Sequence, residues 1–317
     1  MSLRVAVQMD PLHSINIAGD STFALMLSAQ ERGHELFHYD VEGLTLDEND
    51  RLHALVHPVR VQRVEGDHFA IGEPRRLDLG RDVDVVLMRQ DPPFHMGYIT
   101  ATHLLERIEG ETLVVNNPAS VRNAPEKVFV LDYRRFMPPT LVTRSVDEVR
   151  RFMEKHGAVV VKPIHGNGGK AIFRIPEGGD NLSALFEVFN QTWPEPHMVQ
   201  PFLPEVAEGD KRIVLVDGEV AGAINRIPGE GEFRSNLAVG GSAAATTLTE
   251  REQEICAALG PELKRRGLLF VGIDVIGGKW LTEINVTSPT GIVAIDRFNG
   301  TDTAGMIWDA IARRLGK

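Results

Sequence analysis

Residues 158–175 have the sequence AVVVKPIHGNGGKAIFRI. Its two apolar ends read as strands, and a glycine-rich segment joins them where a helix would join parallel strands. A dinucleotide-binding turn needs a helix directly after its glycines, and a P-loop needs Ser or Thr where Ala171 follows Lys170. The segment is therefore predicted to be a hairpin whose N–H groups can fold over a phosphate chain. A plain glycine-rich turn remains the simpler interpretation of the loop alone.

Lys162 favours the phosphate interpretation. It lies inside the apolar run Val159–Pro163, where a charged side chain is normally found only with a partner. Phosphate is a natural partner for a lysine ammonium group. The strand and the loop together therefore indicate an anion site.

The first third of the chain alternates strand and helix patterns. Strands are predicted at 3–8, 35–39, 83–88 and 112–116, and helices at 21–32 and 99–108. Such alternation favours a small parallel α/β sheet. The segment 56–80 interrupts the pattern and reads as a hairpin excursion.

The pattern changes after about residue 122. Beyond the opening stretch, strands are predicted at 197–203, 212–216, 219–223, 268–276 and 280–286, with helices at 182–190, 250–266 and 302–315. Mixed antiparallel pairing with helices on one side is typical of an α+β fold. The predicted domains are residues 1–122, 123–203 and 204–317.

The composition limits the partners. The 317 residues include 34 Lys and Arg against 44 Asp and Glu, a net charge of −10, which argues against a general nucleic-acid binder. No apolar run approaches the ~20 residues that span a bilayer, and the N-terminus lacks a signal-peptide core. We therefore expect a cytoplasmic protein without membrane contact. The single cysteine, Cys256, cannot form an internal disulfide and reads as a buried apolar residue.

The sequence His34-Glu35-Leu36-Phe37-His38 matches the zinc motif H-E-x-x-H, but its context is wrong. The motif requires a helix, whereas Gly33 ends the preceding helix and Glu35–Tyr39 reads as a strand. Residues four apart in a strand are separated by roughly 13 Å, which is too far for two ligands of one zinc ion. We reject a zinc site here.

A carboxylate pair is predicted near the C-terminus. If Gly278 and Lys279 form a two-residue type II′ turn, Asp274 faces Glu283 across two antiparallel strands, and Asn285 shares a face with Glu283. Opposed carboxylates repel unless a cation separates them, and oxygen ligands of this kind suit Mg²⁺. A solvated strand face with one perturbed carboxylate remains the alternative.

The loop 228–242 is long and rich in glycine and polar residues, so it is either disordered or a lid over a site. Arg212 and Arg226 lie in or beside strands, and Arg234 and Asn236 lie in the loop. Surface solvation is the default for any one arginine. The set, beside a candidate metal site, indicates an anionic substrate.

These segments together resemble the prokaryotic-type glutathione synthetases, a family of the ATP-grasp superfamily. The resemblance covers nearly the whole chain and is carried by Met9-Asp10-Pro11, Ile15-Asn16-Ile17, LMRQDPPF at 87–94, Asn116-Asn117-Pro118, Pro125-Glu126-Lys127, GDKR at 209–212 and TEINVTSPTG at 282–291. The strings DPPF and TEINVTSPTG are highly specific together. The resemblance implies an N-terminal parallel α/β (pre-ATP-grasp) domain followed by a two-subdomain ATP-grasp fold.

The family joins γ-glutamylcysteine to glycine with ATP through an acylphosphate. The resemblance implies ATP as a substrate and two Mg²⁺ ions, or Mn²⁺, as cofactors, and we also expect a homo-oligomer, a dimer or tetramer. The implied ATP-binding residues are Lys127, Lys162, Gly166, Asn167, Gly168, Gly169, Gln200, Phe202, Leu203 and Asp210. The implied metal ligands are Asp274, Glu283 and Asn285, and the implied catalytic residues are Arg212 and Arg226. The implied substrate-binding residues are Asp10, Asn16, Arg89, Arg212, Arg226, Arg234, Asn236, Gly240, Gly241, Ser288, Pro289 and Thr290.

Two alternatives stay open. One is another ATP-grasp ligase that adds amino acids to a peptide or protein, and the other is an ATP-binding regulatory protein without turnover. Arg89 and the segment 10–16 favour the glutathione enzymes over the first, and the intact metal and phosphate residues count against the second. Two features depart from the family pattern: the turn at 277–279 is a residue longer, and Ser242 replaces a basic residue that some members carry.

Overall fold

Three sheets follow one another along the chain in a computed structural model, which describes residues 2–236 and 240–317. The centre of the predicted lid loop, 237–239, lies outside the described residues. Each sheet falls within one of the three predicted domain ranges. The boundaries after 122 and 203 stay predictions. Within the described ranges, no helix has the length and apolar character needed to cross a bilayer.

The N-terminal sheet combines a parallel centre with an antiparallel excursion. Its strands are β1 (Arg4–Gln8), β2 (Glu35–Tyr39), β3 (Leu44–Leu46), β4 (Leu52–Val61), β5 (Phe69–Ile71), β6 (Arg75–Asp78), β7 (Val85–Met88) and β8 (Leu113–Val115). The order is β3-β4-β2-β1-β7-β8, and β5 and β6 both pair with β4. The parallel pairing of β2, β1, β7 and β8 confirms the predicted α/β sheet. Because β2 contains the H-E-x-x-H residues from Glu35 onward, their strand assignment is confirmed.

The helices of this part are α1 (Ser21–Glu31), α2 (Met96–Glu106) and α3 (Pro118–Arg122). Helix α1 begins where predicted because the Asp20 carboxylate accepts from the Phe23 N–H at 2.6 Å. Helix α2 begins three residues earlier than predicted, at Met96. The His95 ring caps it by accepting from the Tyr98 N–H at 3.1 Å, and histidine is not among the favoured capping residues.

The middle sheet is antiparallel throughout. Its strands are β9 (Leu141–Thr143), β10 (Val159–Pro163), β11 (Phe173–Ile175) and β12 (His197–Pro201), in the order β11-β10-β12-β9. The helices are α4 (Glu126–Phe129), α5 (Val146–His156) and α6 (Leu182–Thr192). Val161 pairs with Phe173, so the predicted hairpin around the glycine-rich loop is confirmed. The apolar faces of α5 and α6 meet the sheet through Val149 and Phe186, which are fully buried.

The C-terminal sheet has the order β15-β14-β13-β16-β17. Its strands are β13 (Asp210–Val216), β14 (Glu219–Ile227), β15 (Ser242–Ala244), β16 (Phe270–Ile276) and β17 (Trp280–Asn285). The helices are α7 (Glu250–Arg265), α8 (Ile292–Asn299) and α9 (Thr303–Arg314). Helix α7 starts with a capping box between Thr249 and Glu252, which satisfies two N-terminal N–H groups.

The turn between β16 and β17 corrects the prediction. The two-residue turn is wrong, because Ile276 pairs with Trp280 and the loop holds three residues, 277–279. Its first two residues are glycines with φ of 61° and 64°, in the left-handed region that favours glycine. A bulge beside Asp274 restores the register, so Asp274 still faces Glu283. The carboxylate pair is confirmed, although two compensating irregularities produce it.

Asn116 joins the N-terminal and C-terminal sheets. Its side chain accepts from the Phe270 N–H at 2.8 Å and donates to the Phe270 and Val286 carbonyls at 2.7 and 2.8 Å. The amide thus continues the hydrogen-bond ladder beyond the end of β17. Helix α9 packs on α1, and the Trp308 indole N–H donates to the Leu25 carbonyl at 2.9 Å. The first part of the chain is therefore fixed against the strands that carry the carboxylate pair.

Candidate functional site

Two clefts adjoin at Glu283 and Asn236, which border both. The apolar cleft, of about 640 Å³, lies between the middle and C-terminal sheets. The polar cleft, of about 890 Å³, lies between the C-terminal sheet, the glycine-rich loop and the 287–291 segment. One continuous site with two chemically different halves results.

The apolar cleft brings together half of the residues predicted to hold a nucleotide. These are Lys162, Gln200, Phe202, Leu203 and Asp210. The sequence assigns Arg234 to substrate binding only, and it gives no role to the other lining residues Val160, Ile172, Pro201, Val206, Phe233, Ser235, Ile276 and Thr282. Two of these residues could have been predicted, because residues two apart in a strand share a face. Val160 is two residues from Lys162, and Ile276 is two residues from Asp274.

Of the two predicted phosphate lysines, Lys162 lines this cleft, and Lys127 lines a small neighbouring pocket that shares Glu283 with it. The Lys127 ammonium donates to the Gly166 carbonyl at 2.6 Å and pairs with Glu283 at 3.1 Å. The Lys162 ammonium donates to Gln200 Oε1 at 3.1 Å. Burial lowers the pKa of Lys162, whereas for Lys127 the neighbouring glutamates outweigh burial and raise the pKa. Lys127, Glu283 and the 166–170 segment line this small neighbouring pocket.

The predicted lid loop contacts the glycine-rich loop. The Arg234 guanidinium donates to the Gly169 carbonyl at 3.0 Å and pairs with Glu232 at 2.5 Å. A Cβ on Gly169, whose φ is 76°, would lie 2.6 Å from Asn236 Oδ1, so only glycine permits this approach. Likewise a Cβ on Gly241 would overlap the Ser235 carbonyl. The described part of the lid is therefore packed closely over the glycine-rich loop.

Four charged groups form a buried ion-pair cluster beneath both clefts. The Asp274 carboxylate accepts from Arg212 at 2.6 and 3.1 Å, and Arg226 approaches it to 3.0 Å. Arg226 also pairs with Asp210 at 2.6 Å. Burial alone would raise the pKa of Asp274, but the two guanidinium groups outweigh it and hold that pKa well below its usual range. Burial raises the pKa of Asp210 to about 6, against the opposing charge of Arg226.

The polar cleft gathers the predicted catalytic arginines and half of the predicted substrate residues. Predicted residues on its wall are Asn167, Gly168, Arg212, Arg226, Asn236, Glu283, Asn285, Ser288, Pro289 and Thr290. Sequence reasoning assigned no role to Asp91, Glu126 and Thr287, which also line it. Glu126 accepts from the Thr287 hydroxyl at 3.0 Å, and burial raises its pKa to about 7.

Arg89 lies behind the residues that line the polar cleft. Its side chain is buried, and it donates to the Thr22 hydroxyl at 3.0 Å and to the Pro289 carbonyl at 2.8 Å. The Gly291 N–H donates to the Ser21 hydroxyl at 3.1 Å. In the described structure, α1 and Arg89 hold the cleft-lining segment 288–291 in place. The expected contact of Arg89 with a substrate stays a prediction.

Asp10 and Asn16, like Arg89, are not among the cleft-lining residues of 2–236 and 240–317. Asp10 accepts from the Asp91 N–H at 2.8 Å and so supports a residue that does line the polar cleft. The Asn16 side chain accepts from the Ala18 N–H at 3.1 Å, which stabilises its own loop. Their predicted role in substrate binding stays a prediction.

The residues predicted to bind metal fit a hard divalent cation. Asp274 and Glu283 are cross-strand partners, and Asn285 lies two residues further along β17. Glu283 borders both clefts, whereas both Asp274 oxygens accept from Arg212. In the described part of the chain, no cluster of three or more His, Cys, Asp or Glu side chains could bind a metal ion. Carboxylate and amide oxygens, as in these three side chains, are ligands that Mg²⁺ prefers, and such an ion completes its shell with phosphate and water.

Comparison with known proteins agrees with this arrangement. Residues 3–122 match the family model of the prokaryotic glutathione synthetase N-terminal domain, and residues 126–300 match that of the prokaryotic glutathione synthetase ATP-grasp domain. The glutathione synthetase of Rhodopseudomonas palustris is 60% identical over 311 residues, 98% of each chain. That of Bradyrhizobium diazoefficiens is 57% identical over 317 residues, 100% of each chain.

Among solved structures, D-cycloserine synthetase DcsG shares the fold with a TM-score of 0.68 at 18% identity, over 98% of this chain and 99% of that chain. The two family models meet near the point where the N-terminal sheet ends, and together they span both clefts. With an α/β N-terminal domain followed by an ATP-grasp fold, the chain belongs to the prokaryotic glutathione synthetase family.

Proposed function

We propose that the protein is an ATP-dependent ligase that joins γ-glutamylcysteine to glycine and gives glutathione, ADP and phosphate. The observation that carries the proposal is the junction of the apolar and polar clefts at Glu283. A nucleotide in the first cleft and an amino-acid substrate in the second would meet there, as phosphoryl transfer to a carboxylate requires.

The proposal assigns ATP to the apolar cleft. Walls such as Val160, Phe202 and Ile276 suit a purine, and the buried Asp210 Oδ1 has no partner among the described residues and suits a ribose hydroxyl. Lys127, Lys162 and the glycine-rich loop suit the phosphates. The two ammonium groups supply charge, and a loop without side chains lets backbone N–H groups approach oxygen atoms.

Members of this family use ATP and depend on a divalent metal. The proposal assigns two Mg²⁺ ions, or Mn²⁺, to Asp274, Glu283 and Asn285. When bound, such ions neutralise charge on the transferring phosphoryl group. The chain's own contribution is to hold Glu283 in place through Lys127 and to keep Asp274 ionised between Arg212 and Arg226.

The proposed reaction has two steps. An oxygen of the cysteinyl carboxylate attacks the γ-phosphorus, and the bond to ADP breaks, which leaves an acylphosphate. The glycine amine then attacks the acyl carbon, phosphate leaves, and the amine loses a proton. Arg212 and Arg226 act by preorganised charge, because their ion pairs fix both guanidinium groups on the wall where these oxygens react. The lid loop 229–241 would exclude water from the acylphosphate.

The proposal also includes a cytoplasmic location, a homo-oligomeric state and domain limits after residues 122 and 203, all expected from the sequence. Light scattering on the purified protein checks the oligomeric state. Limited proteolysis checks the domain limits.

The test of the function is ADP release with γ-glutamylcysteine, measured with and without glycine and with and without Mg²⁺. Full turnover is expected only when both are present. Absence of glycine-dependent turnover would contradict the proposal. ADP formation with other amine acceptors in place of glycine would favour an ATP-grasp ligase that extends peptides or proteins.

A further inference from the structure

A chain of hydrogen bonds leads from outside the apolar cleft to Lys162. Thr140 directly precedes β9 and lies opposite Gln200, because β9 and β12 pair antiparallel with Leu141 opposite Val199. The Thr140 hydroxyl donates to the Pro138 carbonyl at 2.8 Å. Gln200 Nε2 donates to Thr140 Oγ1 at 3.0 Å, and Lys162 Nζ donates to Gln200 Oε1 at 3.1 Å.

The donors and acceptors in this series of hydrogen bonds permit only one orientation of the Gln200 amide. A hydroxyl has one proton, and that of Thr140 is committed to the Pro138 carbonyl, so Thr140 Oγ1 faces Gln200 as an acceptor. The amide nitrogen of Gln200 must therefore point to Thr140, and its oxygen must point to Lys162. The reversed amide would leave two donors facing each other at Lys162 and an unmatched acceptor at Thr140.

Lys162 depends on that oxygen. Its side chain is buried, and burial lowers its pKa, so the charged form needs an acceptor nearby. Within the described residues, Gln200 Oε1 is the hydrogen-bond partner of the ammonium group. An ammonium carries three N–H donors, so two remain for oxygen atoms of a ligand. Gln200 itself is buried and lines the cleft, whereas Thr140 is not among its described lining residues.

We propose that Thr140 is a positioning residue for nucleotide binding, which fixes the Gln200 amide so that the Lys162 ammonium group is held ready for the phosphates. This inference rests on the proposed assignment of ATP to the apolar cleft. Thr140 itself touches no reacting atom. Its effect reaches the nucleotide through two side chains that it orients.

The test is Thr140→Val, which keeps the shape of the side chain and removes the hydroxyl. In the full-length protein, the dissociation constant for Mg·ADP, measured by calorimetry, and the KM for ATP should both rise by about tenfold, as expected for the loss of one hydrogen bond. The KM values for γ-glutamylcysteine and glycine should stay unchanged, because Thr140 is remote from the polar cleft. Thr140→Ser should restore ADP affinity to within about twofold, because serine keeps the hydroxyl.

A matched control and a double variant separate positioning from packing. Thr143→Val, on the same strand, removes a hydroxyl that accepts from the Ser145 N–H, and it should leave ADP affinity unchanged. In a Gln200→Ala background, Thr140→Val should have no further effect, because the residue through which it acts is gone. Additive losses, an unchanged ADP affinity in Thr140→Val, or a serine variant as weak as the valine variant would each overturn the proposal. ADP binding is measured without turnover, so it stays informative even if the amine acceptor is not glycine.

Discussion

The apolar and polar clefts border each other but hold their charged groups in different ways. In the apolar cleft, Lys162 is held by a neutral amide and has donors left for a ligand. In the polar cleft, the wall residues Arg212 and Arg226 are already paired with Asp274, whose carboxylate lies on the side of the apolar cleft. A ligand can therefore bind Lys162 without breaking an ion pair, although its phosphates would still meet the pair of Lys127 and Glu283. Ligands of the polar cleft must exchange partners with arginines that are already paired. Lys162 in the apolar cleft is thus ready for a ligand, whereas the arginines of the polar cleft must first give up an existing partner.

The largest effect should come from Glu283, which borders both clefts. Glu283→Gln should reduce turnover by about a thousandfold or more, because the neutral amide removes the charge of a proposed metal ligand where the two clefts meet. Thermal unfolding should remain cooperative, since the Lys127 ammonium keeps its hydrogen bond to the Gly166 carbonyl. ADP release and a thermal melt check the two parts. A collapsed melt would mean that the residue is structural.

Asp274→Asn should lower stability as well as turnover, because Asp274 is both a proposed metal ligand and the partner of two buried arginines. Removing the charge between two buried arginines should lower the free energy of unfolding by about 3–5 kcal/mol. Glu283→Gln is the matched control, because its carboxylate is more exposed than that of Asp274 and pairs with one lysine rather than two arginines. Urea unfolding of the two variants measures the difference. Equal losses in the free energy of unfolding would contradict the view that Asp274 stabilises the fold through its pairs with Arg212 and Arg226.

Glu126 should make the stability of the ligand-free protein depend on pH. Burial raises its pKa from 4.5 to about 7 in the folded state, so the folded chain binds the proton more tightly than the unfolded chain. Its contribution is then most favourable below pH 4.5 and is lost as the pH rises towards 7. Between pH 5.5 and 8, wild type should lose about 1–3 kcal/mol more than Glu126→Gln does.

Urea unfolding of both proteins at the two pH values measures this difference. Glu187→Gln, on an exposed position of α6, is the control and should follow wild type. If Glu126→Gln also follows wild type, the raised pKa of Glu126 is wrong.

The smallest effect should come from the apolar cleft. Phe202→Ala removes a ring that stacks under the Arg174 guanidinium at 4.0 Å and lies edge-on to Phe233. The KM for ATP should rise by about tenfold through the lost apolar contact, with the KM for glycine unchanged. Steady-state kinetics with each substrate varied in turn gives both numbers. A parallel rise for glycine would show that the two clefts do not act separately.

Local patterns in the sequence predicted those parts of the site that are formed by segments adjacent along the chain. The Asp274 and Glu283 pairing follows from two adjacent strands, and the hairpin around the glycine-rich loop follows from its flanking apolar runs. The predicted two-residue turn between β16 and β17 was wrong. A longer loop and a bulge compensate each other, and the periodicity of the sequence does not distinguish that combination from a short turn without a bulge.

Contacts between distant segments were beyond such patterns. The pairing of Arg212 with Asp274 depends on β13 lying beside β16, which are far apart along the chain. The bond from Arg234 to Gly169 likewise joins two loops from different sheets. Arg89 was placed by resemblance, and its burial behind the segment 288–291 is a tertiary property that no local pattern carries.

The hydrogen bonds that hold the segment 288–291 in place matter for any attempt to change the substrate range of this ligase. Arg89 and Ser21 belong to the N-terminal domain, yet their hydrogen bonds to Pro289 and Gly291 fix the backbone that walls the polar cleft. A mutant library confined to cleft-lining side chains would vary the surface while the backbone beneath it stayed fixed. Libraries intended to admit bulkier acceptors should therefore include Ser21, Thr22 and Arg89, whose replacement moves the wall itself.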